Sequence, residues 1–396
     1  MNDFAAQRVA RALRACRSLA IWLLGLVLAL LSSGLAARSK LPVPAGLVGS
    51  LYPRVLVLRH SGSADGQLVA SVTSLSGNQG LGLIYHSKSG KSFHLVGIIR
   101  DPAASHNFGL CCSTLYQLPI RIGRLPAGTL LWAASVGQNV SVHRRMSIDI
   151  WESQDLGKRW KPLSRCATAA NSRGIWEPQF SVDRAGDLVC YFSDETSPRH
   201  SQRIAEVRSK DGVHWGKVHA VVAASAYADR PGMPVVLRVS KRRWLMSYEV
   251  CTPSGIHACA AHLRSSRNGW NWGDPRNLGK MVVSRSGLYF NHAPTLQVVR
   301  SGGKTFLLLI GEVLHQPDGH YAPGNGKTIF VNAHGGRGTW TTLATPVAVT
   351  DASNDPCTNY SSVLVALRGR LLELASDYDL NGVCRTYFAS EPLQLP

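Results

Sequence analysis

Two glutamates stand inside apolar, strand-like segments of this 396-residue sequence. Glu177 lies within residues 174–181, and Glu249 lies near the end of the run 243–251. A buried carboxyl group is costly unless it has a purpose, and apolar surroundings raise its pKa into a range that suits proton donation. Glycosidic cleavage needs two carboxyl groups: one protonates the leaving oxygen, and the other stabilises or attacks the anomeric carbon. The pair therefore predicts a glycosidase, although either glutamate alone is equally well explained as a structural carboxylate.

Further polar and aromatic residues occur in segments that we expect to converge on the same pocket. Asp229 and Arg230 precede a Pro-Gly turn, where they either contact substrate hydroxyls or stabilise the turn itself. A single residue such as His292 in an inward-facing strand is more often a satisfied core residue than a ligand. The predicted substrate-binding residues are Arg54, Trp176, Asp194, Asp229, Arg230, Tyr248, His292 and Asp377.

The body of the chain reads as β-structure. Short runs rich in valine, isoleucine, leucine and aromatic residues alternate with clusters of glycine, serine, asparagine and aspartate, as at 55–58, 129–134 and 305–310. Runs of this length between turn residues are typical of strands. We therefore predict an all-β fold.

A turn motif repeats along these strands. It has the form Ser-x-Asp-x-Gly-x-x-Trp at 153–160 and is one residue shorter at 209–215. A third copy at 265–272 has Arg267 where aspartate is expected, and worn copies end at Phe93 and Trp340. The motif resembles the Asp-box of sialidase-like propellers, a hairpin turn that stabilises the fold at a distance from the chemistry.

The closing aromatic residues of these copies are 55 to 68 residues apart. One four-stranded propeller blade takes a segment of this order. About 350 mature residues at roughly 58 per blade predict a six-bladed β-propeller with degenerate Asp-box repeats, and five or seven blades remain as alternatives.

The first residues have the layout of a secretory signal peptide. Four arginines up to Arg17 precede the apolar run 19–31, and small residues follow up to Ala37. The run of 13 residues is shorter than the span of about 20 that crosses a membrane. We predict a signal peptide at 1–37, with an uncleaved anchor as the alternative, and a single propeller domain at 45–396 that is secreted or periplasmic.

Eight cysteines remain after the leader, an even number that favours disulfides in an exported protein. Cys251 with Cys259 and Cys357 with Cys384 are the predicted pairs, and the connectivity of the other four is left open. Zinc is the competing interpretation, but the sequence has no Cys-x-x-Cys pair and the histidines lack ligand spacing. We predict no metal and no cofactor.

The net charge of +19 falls to about +16 when the predicted leader is removed. Such a protein is attracted to acidic cell-wall polymers, membrane surfaces or nucleic acid. The basic residues are scattered and no nucleic-acid motif occurs, so a solvated basic surface is the better interpretation. We expect a monomer with no nucleic-acid partner, in contact with a membrane only through an uncleaved leader.

Several segments together resemble a known enzyme family. They occur in the order Trp176-Glu-Pro-Gln-Phe180, Ser193-Asp-Glu-Thr-Ser-Pro198, Ala228-Asp-Arg-Pro-Gly-Met233, Ser247-Tyr-Glu-Val-Cys251, Asn291-His-Ala-Pro294, Thr328-Ile-Phe-Val-Asn332 and Asn359-Tyr-Ser-Ser362. The sequence from about 50 to 390 is similar to the exo-α-1,5-L-arabinanases of glycoside hydrolase family 93, six-bladed propellers of the sialidase superfamily.

The resemblance implies retaining chemistry. Glu177 matches the family's acid/base, Glu249 its nucleophile, and Tyr360 a tyrosine that assists the nucleophile. The implied reaction removes arabinobiose from the non-reducing ends of linear arabinan, such as the arabinan side chains of pectin. The basic charge, the adjacent Cys111 and Cys112, and the loop 317–325 depart from the family pattern.

Three other functions compete with this one. A sialidase needs an arginine cluster for the substrate carboxylate and usually opens with Arg-Ile-Pro, whereas this chain has Tyr52-Pro-Arg54. A non-catalytic carbohydrate-binding propeller has no need of two close carboxyl groups, and fold alone does not establish activity. A nucleic-acid-binding protein is the weakest alternative.

Overall fold

The computed structural model of the chain describes residues 38–77 and 79–396, and residues from Arg38 onward form one compact unit. The predicted signal peptide at 1–37 lies outside the described residues. The regular secondary structure of the described chain is almost entirely β-strand, with short 3₁₀ helices at Gly62–Ala64 and Pro102–Ala104. Its strands form six sheets, so the predicted all-β fold with six blades is confirmed.

The first half of the described chain contributes one outer strand and three complete blades. The strands, blade by blade, are β1 (Ser39–Lys40); β2 (Val48–Val57), β3 (Leu68–Ser76), β4 (Gln79–Ser87) and β5 (His94–Ile99); β6 (Leu110–Gln117), β7 (Leu130–Val136), β8 (Ser147–Ser153) and β9 (Lys161–Thr168); β10 (Ile175–Val182), β11 (Leu188–Asp194), β12 (Arg203–Ser209) and β13 (His219–Val222).

The second half supplies the remaining blades. In chain order its strands are β14 (Arg230–Ser240), β15 (Arg243–Cys251), β16 (Ala260–Ser266), β17 (Lys280–Met281), β18 (Tyr289–Asn291), β19 (Thr295–Ser301), β20 (Lys304–Ile310), β21 (Val313–His315), β22 (Thr328–Asn332), β23 (Thr341–Ala344), β24 (Val363–Leu367), β25 (Arg370–Tyr378) and β26 (Cys384–Pro392).

Each blade is an antiparallel sheet whose first strand is the innermost. The first strands β2, β6, β10, β14, β19 and β24 contact one another around the axis and line a central channel of about 460 Å³. The fourth blade is extended, because β18 pairs with β16 and β21 pairs with β18. The fifth blade consists of β19, β20, β22 and β23.

Strand β1 closes the ring. It pairs antiparallel with β26 and becomes the outer strand of the sixth blade, whose other strands come from the C-terminal end of the chain. The Leu41 N–H continues this ladder by donating to the Thr386 carbonyl over 2.9 Å. Structured chain therefore begins upstream of residue 45, the predicted start of the domain.

The hydrophobic core lies between the blades. A separate cluster of buried apolar side chains fills each of the six contacts between neighbouring blades. Every residue of β7 is buried, as expected of a strand covered on both faces. The packing is close: a Cβ at Gly82 would come within 2.7 Å of the Trp132 ring, so only glycine fits there.

The Asp-box hairpins join the third and fourth strands of the blades. Ser209 Oγ accepts the Gly212 N–H over 2.8 Å, and Asp211 Oδ1 accepts the His214 N–H over 2.8 Å. In the second blade, Ser153 Oγ accepts the Gly157 N–H over 3.0 Å. These bonds satisfy backbone N–H groups of the turn that have no partner on a neighbouring strand. This explains why serine and aspartate recur in the motif.

The third copy of the motif has a different register from the predicted one. Ser266 Oγ accepts the Gly269 N–H over 2.9 Å, and Asn268 Oδ1 accepts the Asn271 N–H over 2.7 Å. Asparagine supplies the same side-chain oxygen as aspartate, so the copy reads Ser-x-Asn-Gly-x-x-Trp. The placement of Arg267 at the aspartate position was therefore wrong by one residue.

The hairpin register generates a matched pair of substitutions. Asn268→Ala removes the oxygen that accepts two turn N–H groups, so the free energy of unfolding should fall by about 1–2 kcal/mol. The exposed neighbour Arg267→Ala should change it by less than about 0.5 kcal/mol. Chemical denaturation of both variants measures the difference, and equal losses would contradict the corrected register.

Four disulfides link the cysteines of the described chain. Cys251–Cys259 and Cys357–Cys384 confirm the two predicted pairs. The pairs left open are Cys111–Cys112, between consecutive residues, and Cys166–Cys190, between the second and third blades. Within residues 38–77 and 79–396, no helix has the length and apolar character needed to cross a membrane.

Candidate active site

One backbone feature recurs at the start of every innermost strand. A residue with positive φ precedes regular pairing by two positions, and in the first four blades the strand register shifts at this point. Positive φ is rare for residues other than glycine and often marks functional sites. These residues, which we call the inner ring, are Tyr52, Cys112, Glu177, Met233, Ala293 and Ser361.

The inner ring lies at one mouth of the central channel. Each of its residues precedes the strand segment that lines the channel. Tyr52, Met233 and Ala293 come from three different blades and form one small buried cluster, against which Cys112 and Tyr360 pack. Residues far apart in the sequence therefore meet around the axis.

A second repeat in the sequence marks the inner ring, and it was not among the predicted motifs. Proline follows the ring residue in four blades and serine in the other two, at spacings of 56 to 68 residues. This second repeat has the same period as the hairpins but marks the opposite end of each blade. It would have identified Tyr52 and Met233, which sequence reasoning did not select.

A second ring of polar residues surrounds the first. Its members lie on the second strand of each blade or directly after it, and none is more than 8% exposed. They are Thr73, Ser135, Ser193, Glu249, Glu312 and Ser376. Glu249 pairs with Gly232, next to Met233, the inner-ring residue of the fourth blade. Glu177 and Glu249 therefore come from adjacent blades but occupy different places in their repeats.

Glu177 is the inner-ring residue of the third blade. Its φ of 51° falls within a bulge between Trp176 and Gln179, which directs the side chain differently from a regular strand residue. The pKa of its carboxyl is raised to about 7, mainly by desolvation; the charges of Glu249 and Glu195 add to the shift, and a hydrogen bond with Ser193 opposes it. The carboxyl therefore holds its proton at mildly acidic pH.

Glu249 is held from two sides. Its Oε2 accepts the Ala293 N–H over 3.0 Å, and His292 Nδ1 lies 3.6 Å from the same oxygen. Cys251 Sγ lies 3.6 Å from Oε1, and the Cys251–Cys259 disulfide ties the end of this strand to its neighbour. Donors around a buried carboxylate stabilise its negative charge and fix its orientation.

Two tyrosines lie beside the glutamates. The Tyr360 hydroxyl is 3.6 Å from Met233 Sδ, and its ring centroid is 5.9 Å from that of Tyr52. Burial raises the pKa of Tyr360 well above its ordinary value, and the charges of Glu177 and Glu249 add to the effect. Burial likewise raises the pKa of Tyr52 to about 12. Both phenols are therefore neutral hydrogen-bond donors in this pocket.

Arg54 supports the tyrosine pair. Its guanidinium lies over the Tyr52 ring at 4.1 Å and donates to Ser361 Oγ over 3.0 Å. This links the inner-ring positions of the first and sixth blades. The structure thus places Arg54 next to the site, where its guanidinium already contacts Tyr52 and Ser361.

Trp176 and Arg230 join a network on the other side of Glu177. Arg230 forms an ion pair with Glu195 and donates to Gln202 Oε1 over 2.7 Å. Burial alone would raise the pKa of Glu195, but hydrogen bonds from Arg230, Trp176 and the Gly174 N–H outweigh it and lower the pKa. Glu195 lies in the segment 193–198, which resembles the family, but it was not among the predicted site residues.

Tyr248 does not face the pocket, which corrects its prediction as a substrate-binding residue. It is completely buried between the third and fourth blades, and its hydroxyl donates to the Leu278 carbonyl over 2.6 Å. Successive residues of a strand point to opposite faces. The orientation that brings Glu249 to the site therefore sends Tyr248 into the core.

Three predicted aspartates lie in other local settings. Asp194 is buried and pairs with Arg203 over 2.8 Å, while its second oxygen accepts bonds from Thr196. Asp377 forms an ion pair with Arg38 just before the closing strand β1. Asp229 is partly exposed in the loop before β14, where its N–H donates to the Ala226 carbonyl. The first two therefore have structural partners that account for their presence.

Glu312 is a third carboxyl group near the pair, and sequence reasoning missed it. It is fully buried in the second ring, and its Oε1 accepts the Asp355 N–H over 3.0 Å, whereas its Oε2 has no partner among the described residues. Burial raises its pKa to about 9, with a further contribution from the charge of Glu249. Its neighbours Gly311 and Val313 are like those of any buried strand residue. Only the regular spacing of second-ring residues along the chain could have identified it.

The Glu312 carboxyl should make stability depend on pH. Its pKa lies near 4.5 in the unfolded chain and about 9 in the folded one, so the folded state binds more protons between these values and stability falls as pH rises. Glu312→Gln should remove this loss and gain at least about 1 kcal/mol relative to wild type between pH 5 and pH 9. Denaturant unfolding across this range measures it, with Glu391→Gln on β26 as control. Parallel stability profiles for wild type and Glu312→Gln would contradict the assignment.

One group of side chains in the described chain has the spacing of a metal site. The sulfur atoms of Cys251 and Cys259 and a ring nitrogen of His292 lie within 4.8 Å of one another. The two sulfurs are joined in a disulfide and offer no thiolate, the form that binds zinc. The group therefore does not fit a metal as it stands.

No protein-family model and no curated protein matches this chain. Similarity appears among solved structures. An α-L-arabinanase from Penicillium chrysogenum, complexed with arabinobiose, is 24% identical with a TM-score of 0.70, and the match covers 90% of this chain and 97% of that one. A GH93 α-L-arabinofuranosidase from Fusarium graminearum, also with arabinobiose, is 21% identical with a TM-score of 0.72, covering 91% and 98%.

A more distant match extends the comparison to another activity. A Hadza microbial sialidase is 14% identical with a TM-score of 0.56, and the match covers 87% of this chain and 66% of that one. At these identities the similarity establishes the fold, and the function has to be argued from the site. The chain therefore has the same six-bladed propeller fold as the GH93 arabinan-degrading enzymes, as the sequence resemblance implied.

Proposed function

We propose that this protein is an exported, retaining exo-glycoside hydrolase that removes arabinobiose from the non-reducing ends of α-1,5-L-arabinan. One observation supports the proposal: two glutamates of adjacent blades lie close enough for the charge of Glu249 to contribute to the raised pKa of Glu177, and their surroundings differ. Glu177 is a desolvated carboxyl with a pKa of about 7, whereas Glu249 accepts the Ala293 N–H and lies next to His292. Such a division assigns the acid and the nucleophile in carboxylate-pair enzymes.

In the first step, Glu177 gives its proton to the glycosidic oxygen as the bond to the anomeric carbon breaks. The Glu249 carboxylate attacks that carbon from the opposite face and forms a glycosyl ester. In the second step, Glu177 takes a proton from water, which attacks the anomeric carbon and releases Glu249. Each step inverts the centre, so the product retains its configuration. This mechanism requires carboxyl groups about 5–5.5 Å apart.

The neighbouring residues support these roles. The Ala293 N–H and His292 orient the Glu249 carboxylate. Tyr360 lies close enough to both glutamates for their charges to affect its pKa, and its neutral hydroxyl is suited to assist the nucleophile. While Glu249 is charged, it helps to raise the pKa of Glu177 and so keeps the acid protonated for the first step. Once Glu249 is esterified, this charge is lost and the pKa of Glu177 falls, which suits its role as the base in the second step.

The choice of arabinan rests on similarity and on the arginines. Two structural neighbours carry arabinobiose, and the family motifs occur in order along the chain. A sialidase would need arginines available for the substrate carboxylate, but Arg230 is paired with Glu195 and Arg54 is bonded to Ser361. The substrate we propose is therefore neutral: the arabinan side chains of plant cell-wall pectin.

The leader and the disulfides support an extracellular or periplasmic location. Disulfides persist in oxidising compartments, and four occur in the described chain. The arginine-rich start and the apolar run up to residue 31 fit a cleaved signal peptide.

Removal of the nucleophile should abolish turnover. Glu249→Gln keeps the shape of the side chain but cannot form the ester, so kcat should fall by at least about 10³-fold. Binding of arabinobiose, measured by calorimetry, should remain within a few-fold of wild type. Glu391→Gln serves as the control. Substantial residual kcat in Glu249→Gln would place the nucleophile elsewhere.

The proton donor should set the alkaline limb of the pH profile. Because Glu177 must be protonated to act as the acid, kcat/KM should fall as pH rises through about 7. Glu177→Gln should lose this limb and should lose far less activity on aryl arabinosides with good leaving groups, which do not need protonation. An unchanged alkaline limb in Glu177→Gln would rule it out as the donor.

Product analysis on linear α-1,5-arabinan tests the activity as a whole. Arabinobiose as the sole early product, with NMR detection of the retained anomer, is the expected result. Arabinan-decorated pectin and a sialoside are the parallel substrates. Failure of the folded protein to cleave any of the three would favour a non-catalytic carbohydrate-binding propeller.

A further inference from the structure

A second concave site lies at the end of the propeller opposite the glutamates. In an antiparallel blade, the start of the first strand and the end of the second share one end, where Glu177 and Glu249 lie. The turn between β14 and β15 and the Asp-box hairpins share the other end. A pocket of about 630 Å³ lies there, between the fourth and fifth blades.

The walls of this pocket are cationic. The basic residues that line it are Arg242, Arg243, Arg264, Arg267, Lys280 and Arg337. No aspartate or glutamate is among its lining residues. We call this site the basic pocket. Six cations around one concave surface repel one another in the empty protein, so an anion bound there would be stabilised.

Most of these cations lack an internal partner. Arg264 is buried and donates to the carbonyls of Val221 and Asp274. Arg243 also donates to a carbonyl, and its pKa is lowered by burial and by the charge of Arg337. The side chains of the remaining four form no ion pair or hydrogen bond within residues 38–77 and 79–396.

Several other exposed arginines of the protein are paired, which makes the basic pocket distinct. Arg159 pairs with Asp155, Arg165 with Asp149 and Arg276 with Asp274, each at 2.9 Å or less. Unpaired cations also occur elsewhere on the described surface, but the basic pocket groups four of them around one concavity that has no acidic residue in its lining. The grouping therefore points to a ligand that supplies the missing carboxylates.

The pocket also has an apolar component. Leu245, Leu263 and the ring of Trp272 contribute to its lining, next to the backbone of Gly335 and Gly336. Sugar rings present an apolar face, and guanidinium groups bind carboxylates through two parallel hydrogen bonds. A sugar acid satisfies both components, whereas a duplex nucleic acid offers phosphates on a convex surface that does not enter such a pocket.

We propose that the basic pocket binds the carboxylates of a polyuronate, the acidic component of the pectin that also carries arabinan side chains. The choice of this polyanion rests on the proposed function; the anion site itself rests on the geometry. Because the two sites lie at opposite ends of the propeller, the enzyme can hold the acidic matrix while its catalytic pocket stays open to neutral side chains.

Calorimetric titration with de-esterified oligogalacturonate in about 150 mM salt tests the proposal, since surface attraction alone is largely screened there. The double variant Arg267→Gln/Arg337→Gln should bind at least tenfold more weakly than wild type. The control Lys88→Gln/Arg121→Gln removes the same charge from exposed sites elsewhere and should bind within twofold of wild type. Fully methyl-esterified oligogalacturonate should not bind wild type measurably.

Equal weakening in both double variants would overturn the proposal, because the attraction would then come from net charge. Equal binding of the methyl ester, or tighter binding of a single-stranded oligonucleotide with the same dependence on Arg267 and Arg337, would also overturn it. Hydrolysis of neutral linear arabinan should be unchanged in both variants. Intact oligogalacturonate binding without any arabinan hydrolysis by wild type would overturn the proposed function while confirming the anion site.

Discussion

Each blade of this protein is apolar on both faces, and only a closed ring covers both faces of all six blades. The buried clusters lie between blades, never within a single sheet, so no blade has a core of its own. Closing the ring forces the first strands together at the axis. The position of the candidate site, where six strand ends meet, is therefore a consequence of hydrophobic packing.

The two rings explain how the fold places polar side chains at this meeting point. Left-handed backbone at the inner ring lets strand ends bend across the axis, and the second ring places polar side chains behind them. Three of the twelve positions are glutamates: Glu177, Glu249 and Glu312. Desolvation is the main cause that raises the pKa of Glu177 to about 7 and that of Glu312 to about 9, and the charge of Glu249 contributes to both shifts.

The blades and the buried Glu177 carboxyl could be predicted from the sequence, whereas the side chains that face the site depend on strand register. Strand composition and the hairpin period predicted the blades, and the apolar surroundings of Glu177 predicted a buried carboxyl. Whether a strand residue faces the axis depends on bulges that composition does not reveal, which is why Tyr248 was wrongly selected. Glu312 was missed because its neighbours are those of any core strand. Asp194 pairs with Arg203 on the neighbouring strand, and Asp377 pairs with Arg38, next to the strand that closes the ring. No spacing rule in the sequence distinguishes such structural aspartates from substrate-binding ones.

The pairing of β1 with β26 joins the first and last strands that the structure describes, 344 positions or more apart. Contacts between such distant segments form late, because the whole intervening chain has to be ordered first. The sixth blade therefore stays incomplete until synthesis has delivered both of these strands. Until then the fifth and sixth blades expose apolar faces and an unpaired strand edge, so this protein should depend on folding factors more than its final compactness suggests.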